Sequence, residues 1–180
     1  MSSALTSPEI TTHIETLSVS KETVKIREAQ KGDLDQLGQL WLIQRTYHLK
    51  WDGLYASIPS ATDKWKKGVE KALNISTEQV FVAEDETGKL LGYVAGGIYP
   101  WPVSPFQKYG SLNTIAVAER SRRQGIGKRL VLELLRWFQR EGIQHISIYV
   151  DYRNQVALQL YKSLGFREYQ KRLMLDLNNN

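Results

Sequence analysis

The chain has 180 residues, 42% hydrophobic and 24% charged, with no cysteine and a formal net charge of +5. That length suits one ordinary domain, the composition excludes a disordered or collagen-like chain, and the missing thiols exclude disulfides, thiolate metal sites and a cysteine nucleophile. No stretch approaches the roughly eighteen uninterrupted apolar residues of a membrane-spanning helix, and the first basic residue is Lys21, so a cytoplasmic protein with no membrane partner is expected.

Residues 1–22 read as a flexible polar arm, since nine of the first twenty residues are Ser or Thr without an apolar period. Residues 23–180 read as a single domain. Val24 and Ile26 mark a short strand, after which Asp33 is placed to cap a helix with apolar positions at Leu34, Leu37, Leu40 and Trp41. Trp65, Val69 and Leu73 space a second amphipathic helix that ends near Asn74. Gln79 to Glu84 and Leu90 to Tyr99 flank a Glu86-Thr87-Gly88 turn and predict an antiparallel hairpin. A loop with Pro100, Pro102 and Pro105 follows, then a buried-type strand from Leu112 to Val117.

The next helix carries one apolar face, Ile126, Leu130, Val131, Leu134, Leu135 and Phe138, and Gly142 follows its end. His145 to Val150 returns as a strand, so the strand–helix–strand run predicts a right-handed crossover and a parallel pair. Ala157, Leu160, Tyr161 and Leu164 define a last helix, with Asn154 as its cap and Gly165 just past it, and Phe166 to Tyr169 and Lys171 to Leu177 read as closing strands.

The charge is not spread evenly. From Glu119 to Arg140 seven basic residues face two acidic ones, a local excess equal to the net charge of the whole chain. At its centre, where the buried strand meets the long helix, stands Arg122-Arg123-Gln124-Gly125-Ile126-Gly127-Lys128. Glycines there admit a ligand close to the backbone, the first helical turn offers unpaired N–H groups and a positive dipole end, and the cations add charge-assisted hydrogen bonds, which together suit phosphate. Neither a P-loop nor a three-glycine dinucleotide fingerprint is present. A solvated basic helix face is the plain alternative, and a nucleic-acid surface is disfavoured because one face of the helix is apolar.

With these residues in view, Val24 to Leu177 resembles the GNAT superfamily of acyl-CoA-dependent N-acyltransferases. Ile115-Ala116-Val117 resembles the end of the family's central strand, Arg122 to Gly127 matches its Arg/Gln-x-x-Gly-x-Gly/Ala loop, and Asn154, Ala157, Tyr161 and Gly165-Phe166 match its Asn-x-x-Ala-x-x-x-Tyr-x-x-x-Gly-Phe run. The resemblance implies an α/β fold with a mixed sheet of about seven strands and about four helices, splayed at two central parallel strands. It implies acetyl-CoA as acyl donor and an unidentified primary amine as acceptor, with direct attack in a ternary complex. In that picture the main chain of Ile115, Ala116 and Val117 pairs with pantetheine, and Arg122, Arg123, Gln124, Gly125, Ile126, Gly127 and Lys128 surround the pyrophosphate. Asn154 and Ala157 line pantetheine, and Tyr161 protonates the departing thiolate.

Where family members often carry a carboxylate on the central strand, this chain has Asn113 and Thr114, neither a base at neutral pH. Glu84 and Asp52 are unassigned substitutes, and His13, His48 and His145 form no cluster in sequence, so no metal site is expected. A non-catalytic acyl-CoA sensor on the same fold is therefore the alternative. Tyr47, Trp51 and Tyr55, with Trp101, Phe106 and Tyr109, either wall an acceptor pocket or pack at the edge of the core and in a homodimer contact.

Overall fold

A computed structural model describes residues 23–175 and Leu177; the expected polar arm, residues 1–22, lies outside them. The first of two units extends to Tyr149 and the second begins at Val150. The first contains a five-stranded sheet in the order β1 (Lys25–Glu28), β2 (Glu78–Glu84), β3 (Leu90–Trp101), β4 (Gln107–Val117) and β5 (Ile146–Ile148). The first four pair antiparallel and β4 with β5 is parallel, as the crossover predicts. Three helices belong to this unit: α1 (Leu34–Leu49), α2 (Ala61–Ala72) and α3 (Ile126–Arg140).

The two faces of the sheet are covered differently. Leu37 and Leu40 of α1 and Val69 of α2 pack with Val80, Val82, Tyr93 and Ala116, and Trp41 stacks on Trp65 with ring centroids 5.4 Å apart. On the opposite face the apolar stripe of α3 comes so close that the sheet carries glycine beneath it. A Cβ on Gly96 would lie 2.8 Å from the Ser111 carbonyl oxygen and 2.9 Å from Leu134, and one on Gly110 would meet the Phe138 ring at 2.7 Å. Gly96→Ala is therefore expected to destabilise the protein by about 1–3 kcal/mol, because the methyl group overpacks against backbone. Thermal denaturation checks this through a fall in Tm of several degrees.

The Asp33 expectation needs correction. Asp33 stands before α1 but makes no cap bond to the helix; its carboxylate accepts from the Gln30 N–H at 2.8 Å and from both Nη atoms of Arg27 at 2.7 and 2.9 Å. Arg27 also donates from Nε to Glu84 at 2.8 Å. The geometry explains the choice: β1 pairs with β2 so that Arg27 faces Val82 and lies diagonally across from Glu84, and the half-buried guanidinium, already bonded to Glu84, draws in the second carboxylate. Arg27 holds both carboxyls below the ordinary range.

Other differences follow from pairing. The proline loop is shorter than expected, because Pro100 and Trp101 extend β3 opposite Lys108 and Gln107 and leave only a tight turn. The fifth strand keeps three of its six expected residues. In the second unit α4 (Gln155–Ser163) forms, with Asn154 Oδ1 accepting from the Ala157 N–H at 3.2 Å as a cap. Phe166–Tyr169 and the described part of Lys171–Leu177 are not strands; Leu173 and Leu175 are 91% and 77% exposed, so their alternating pattern buries no face.

Candidate functional site

The turn after β4 is shaped by two left-handed residues. Arg123 has φ +64° and Gly125, the N-cap of α3, φ +77°. A left-handed non-glycine residue is uncommon and costs strain, which the surrounding loop must hold. The first backbone bond at the start of α3 runs from the Arg129 N–H to the Gly125 carbonyl at 3.0 Å, and among the described residues no backbone acceptor meets the N–H groups from Arg123 to Lys128. A left-handed turn ahead of a helix start leaves such groups converging, the arrangement that binds anions. A Cβ on Gly125 would meet nothing within 4 Å, so the space above this turn is open.

Ile115, Ala116 and Val117 end the strand that leads here. The parallel pairing of β4 with β5 covers only Gly110 to Leu112, so these three residues run past the end of the ladder. The splay was expected between two central strands, whereas the parallel partner here, β5, is a three-residue strand at the edge of the described sheet. Arg122 closes the geometry: its Nε donates to the Val117 carbonyl at 3.2 Å, and its guanidinium carbon lies 5.1 Å from the centroid of the Tyr47 ring.

A β-bulge interrupts β4 just before this segment. Ala95 faces Thr114 and Gly96 faces Leu112, so Asn113 has no partner in register. The extra residue turns Asn113 and Thr114 to the same side. Asn113 donates from Nδ2 to the Tyr99 hydroxyl at 2.8 Å, and Thr114 donates to Gln44 Oε1 of α1 at 3.0 Å. With its hydrogen committed to Gln44, Thr114 Oγ1 accepts from the fully buried Tyr93 hydroxyl at 3.2 Å. This floor is polar and uncharged.

In the second unit, Asn154, Ala157 and Tyr161 sit together on the first two turns of α4 and its cap. Tyr161 is 5% exposed, its ring stands edge-on to Phe166 with centroids 5.8 Å apart, and burial pushes its phenol above the ordinary value.

The model of the Acetyltransferase (GNAT) family matches residues 43–166, well over half of the chain. The chain belongs to the GNAT acetyltransferase family. It is 34% identical over 85 residues to a mycothiol acetyltransferase of Renibacterium salmoninarum, a match covering 47% of this chain and 25% of the relative. It is 28% identical over 149 residues to an uncharacterised N-acetyltransferase of Methanocaldococcus jannaschii, covering 82% of this chain and 62% of that one. The chain thus spans from a quarter to about three-fifths of the length of these curated relatives.

Two solved structures share the GNAT fold. A tetramutant of the BH1408 protein of Bacillus halodurans superimposes with a TM-score of 0.74 at 23% identity, over 85% of this chain and 99% of that one. The aminoglycoside N-acetyltransferase AAC(6')-Iy, solved in complex with CoA, gives 0.68 at 18% identity, over 89% and 98%.

Within this GNAT domain the unassigned carboxylates serve the fold. Glu84 is paired with Arg27, and Asp52 Oδ1 caps the short turn Gly53–Tyr55 by accepting from the Leu54 N–H at 2.9 Å. Among the described residues no three His, Asp or Glu side chains group as metal ligands, and no helix is long and apolar enough to cross a membrane. The aromatic side chains pack on each other: Trp101 stands edge-on to Tyr109 at 6.0 Å and Phe106 to His145 at 4.0 Å, while Tyr47 meets Trp51 at 4.9 Å.

The sequence reading missed Gln44, Tyr99 and the contact of Tyr47 with Arg122. Gln44 had a readable signal. It continues the apolar stripe Leu37, Leu40, Trp41 of α1 at the same spacing, and a polar side chain in a buried stripe must meet a polar partner.

Proposed function

We propose that this chain transfers an acetyl group from acetyl-CoA to a primary amine by direct attack, without an acyl-enzyme. The observation that supports this most is the row of backbone N–H groups from Arg123 to Lys128 without a backbone acceptor, beside a β4 segment that has run past its parallel partner. The row suits a pyrophosphate, and Arg122, Arg123 and Lys128 supply positive charge around it. The main chain of Ile115, Ala116 and Val117 is available to pair with the pantetheine amides as an added strand would, and the family resemblance assigns Asn154 and Ala157 to the same arm.

The donor supplies an activated thioester. As the amine nitrogen bonds to the acetyl carbon and the carbon–sulfur bond breaks, Tyr161 gives its proton to the departing sulfur, and the proton lost by the amine passes through water to restore the phenol. Burial keeps the Tyr161 phenol protonated at neutral pH, the state an acid requires. Because the floor around Asn113 and Thr114 carries no ionisable base, the acceptor must arrive neutral. The pH profile of kcat/KM is then expected to rise in one limb at the acceptor amine's own pKa; a second ascending limb that stays fixed when the acceptor is changed would reveal a protein base.

Tyr161→Phe is expected to leave the Kd for acetyl-CoA within about twofold and lower kcat by roughly 10- to 100-fold, since a thiolate leaves fairly well unaided. The functional test is release of CoA thiol across an amine panel. A chain with no cysteine adds nothing to a thiol-reactive assay. Amine-dependent release supports transfer, whereas binding of acetyl-CoA without release with any amine would favour the sensor reading.

A further inference from the structure

We infer that Tyr99 is a positioning residue, which holds the Asn113 amide so that its Oδ1 receives an N–H of the acceptor amine. The inference rests on the acetyl-transfer reading for the presence of that amine. Its geometry lies wholly within the first unit, around one hydroxyl group.

Asn113 occupies the bulge of β4, has no partner in register and is exposed, so its side chain is presented rather than packed. Its Nδ2 donates to the Tyr99 hydroxyl at 2.8 Å, and among the described residues no donor meets its Oδ1. Tyr99 is fixed in turn. It stands opposite Tyr109 in register with ring centroids 5.7 Å apart, and Trp101 stands edge-on to Tyr109. A Cβ on Gly97 would lie 3.0 Å from the Tyr99 hydroxyl oxygen and 3.2 Å from two of its ring carbons, so β3 carries glycine where the phenol crosses it. The next residue of the bulge, Thr114, is tied to Gln44 and Tyr93, which pins the backbone that carries Asn113. The amide is thus clamped through its nitrogen while its oxygen stays free to accept.

The place of this oxygen follows from the direction of β4. The N–H row lies beyond the C-terminal end of the strand, so a pantetheine arm running back from it along Val117, Ala116 and Ile115 carries its sulfur toward the bulge. Asn113 precedes Ile115 by two residues, about 7 Å along a strand. A neutral primary amine has two N–H groups and one lone pair, and giving one hydrogen to Asn113 Oδ1 restricts where the lone pair points. Being uncharged, the oxygen does not raise the amine's pKa as a carboxylate in the same place would.

The test compares Tyr99→Phe, Asn113→Leu and the double variant with the unaltered protein. CoA release is followed with 2-phenylethylamine, glycinamide and spermidine as acceptors, and the Kd for acetyl-CoA is measured by calorimetry. Asn113→Leu is expected to lower kcat/KM for the acceptor about tenfold and Tyr99→Phe about three- to tenfold, with the Kd for acetyl-CoA within about twofold in each. The double variant is expected to stay within about twofold of Asn113→Leu alone, because Tyr99 acts through an amide that is already gone. Gly97→Ala, which sets a methyl group against the Tyr99 hydroxyl, is expected to behave as Tyr99→Phe does.

Losses that multiply in the double variant, or kcat/KM within twofold of the unaltered protein in either single variant, overturn the inference. A fall in acetyl-CoA affinity that matches the fall in turnover also overturns it, since that marks a distortion of β4. If the unaltered protein releases no CoA with any acceptor, the acetyl-transfer reading fails and takes the inference with it, whereas an active protein with unchanged variants defeats the inference alone.

Discussion

Gly125→Glu is expected to weaken acetyl-CoA binding by at least ~100-fold while the protein remains folded. The position is left-handed, with φ +77°, and a Cβ there would meet no neighbour, so the cost to the fold is the backbone penalty of about 1–2 kcal/mol. The cost to binding is larger because it has two parts. The added carboxylate places a negative charge beside N–H groups and a helix dipole that otherwise attract phosphate, and its bulk fills the open space above the turn. Calorimetry with acetyl-CoA, together with a denaturation curve for the variant, separates the two effects. Binding within a few-fold of the unaltered protein in a folded variant would show that the turn is not where the pyrophosphate lies.

Arg27→Met is expected to produce the largest loss of stability, about 3–5 kcal/mol near pH 7, because it leaves two largely buried carboxylates facing each other without their cation. Arg27, Asp33 and Glu84 expose 20%, 10% and 20% of their side chains, so solvent screens the network little. The pH dependence has a definite sign. Both carboxyls are held below their ordinary range in the folded protein, so their contribution is complete above about pH 4–5 and is lost as pH falls through the lowered folded values. In the variant the unpaired carboxyls protonate more readily and the penalty shrinks. Urea denaturation near pH 7 and again near pH 3 should show the gap between the two proteins narrowing in acid; an equal gap at both would mean the network is not the source.

Much of this was legible in the sequence wherever the signal was local. The apolar stripe of α3, the Asn154 cap, the hairpin around Gly88 and the Arg-x-x-Gly-x-Gly turn each depend on residues a few positions apart, and each forms as read. What could not be read depends on register between distant segments. The bulge that turns Asn113 and Thr114 to one side exists only because Ala95 and Gly96 face Thr114 and Leu112. Arg27 meets Glu84 across 57 positions, which redirected Asp33 from the helix it precedes. Lys171 to Leu177 has a strand's alternation, yet alternation forms a strand only where a partner ladder takes it up.

The candidate site divides in the same way. The loop from Arg122 to Lys128 was visible as glycines and charge at a strand-to-helix junction, whereas Gln44, Tyr47 and Tyr99 acquire a role only once α1 and β3 lie against β4. The carboxylate that family members often place on the central strand is replaced here by an uncharged amide and hydroxyl held by Tyr99, Tyr93 and Gln44. Under the proposed reaction, that difference leaves deprotonation to the acceptor and solvent.

The most direct test of the account is a thermal-shift titration with acetyl-CoA, CoA, ATP and NAD. At about a hundred times its Kd a ligand adds roughly 2.7 kcal/mol, which for a chain of this size raises Tm by roughly 5–10 °C. The account predicts that rise with acetyl-CoA and CoA and little change with ATP or NAD. A protein that shifts with neither CoA species would contradict it, and the N–H row at the start of α3 would then have to serve another anion.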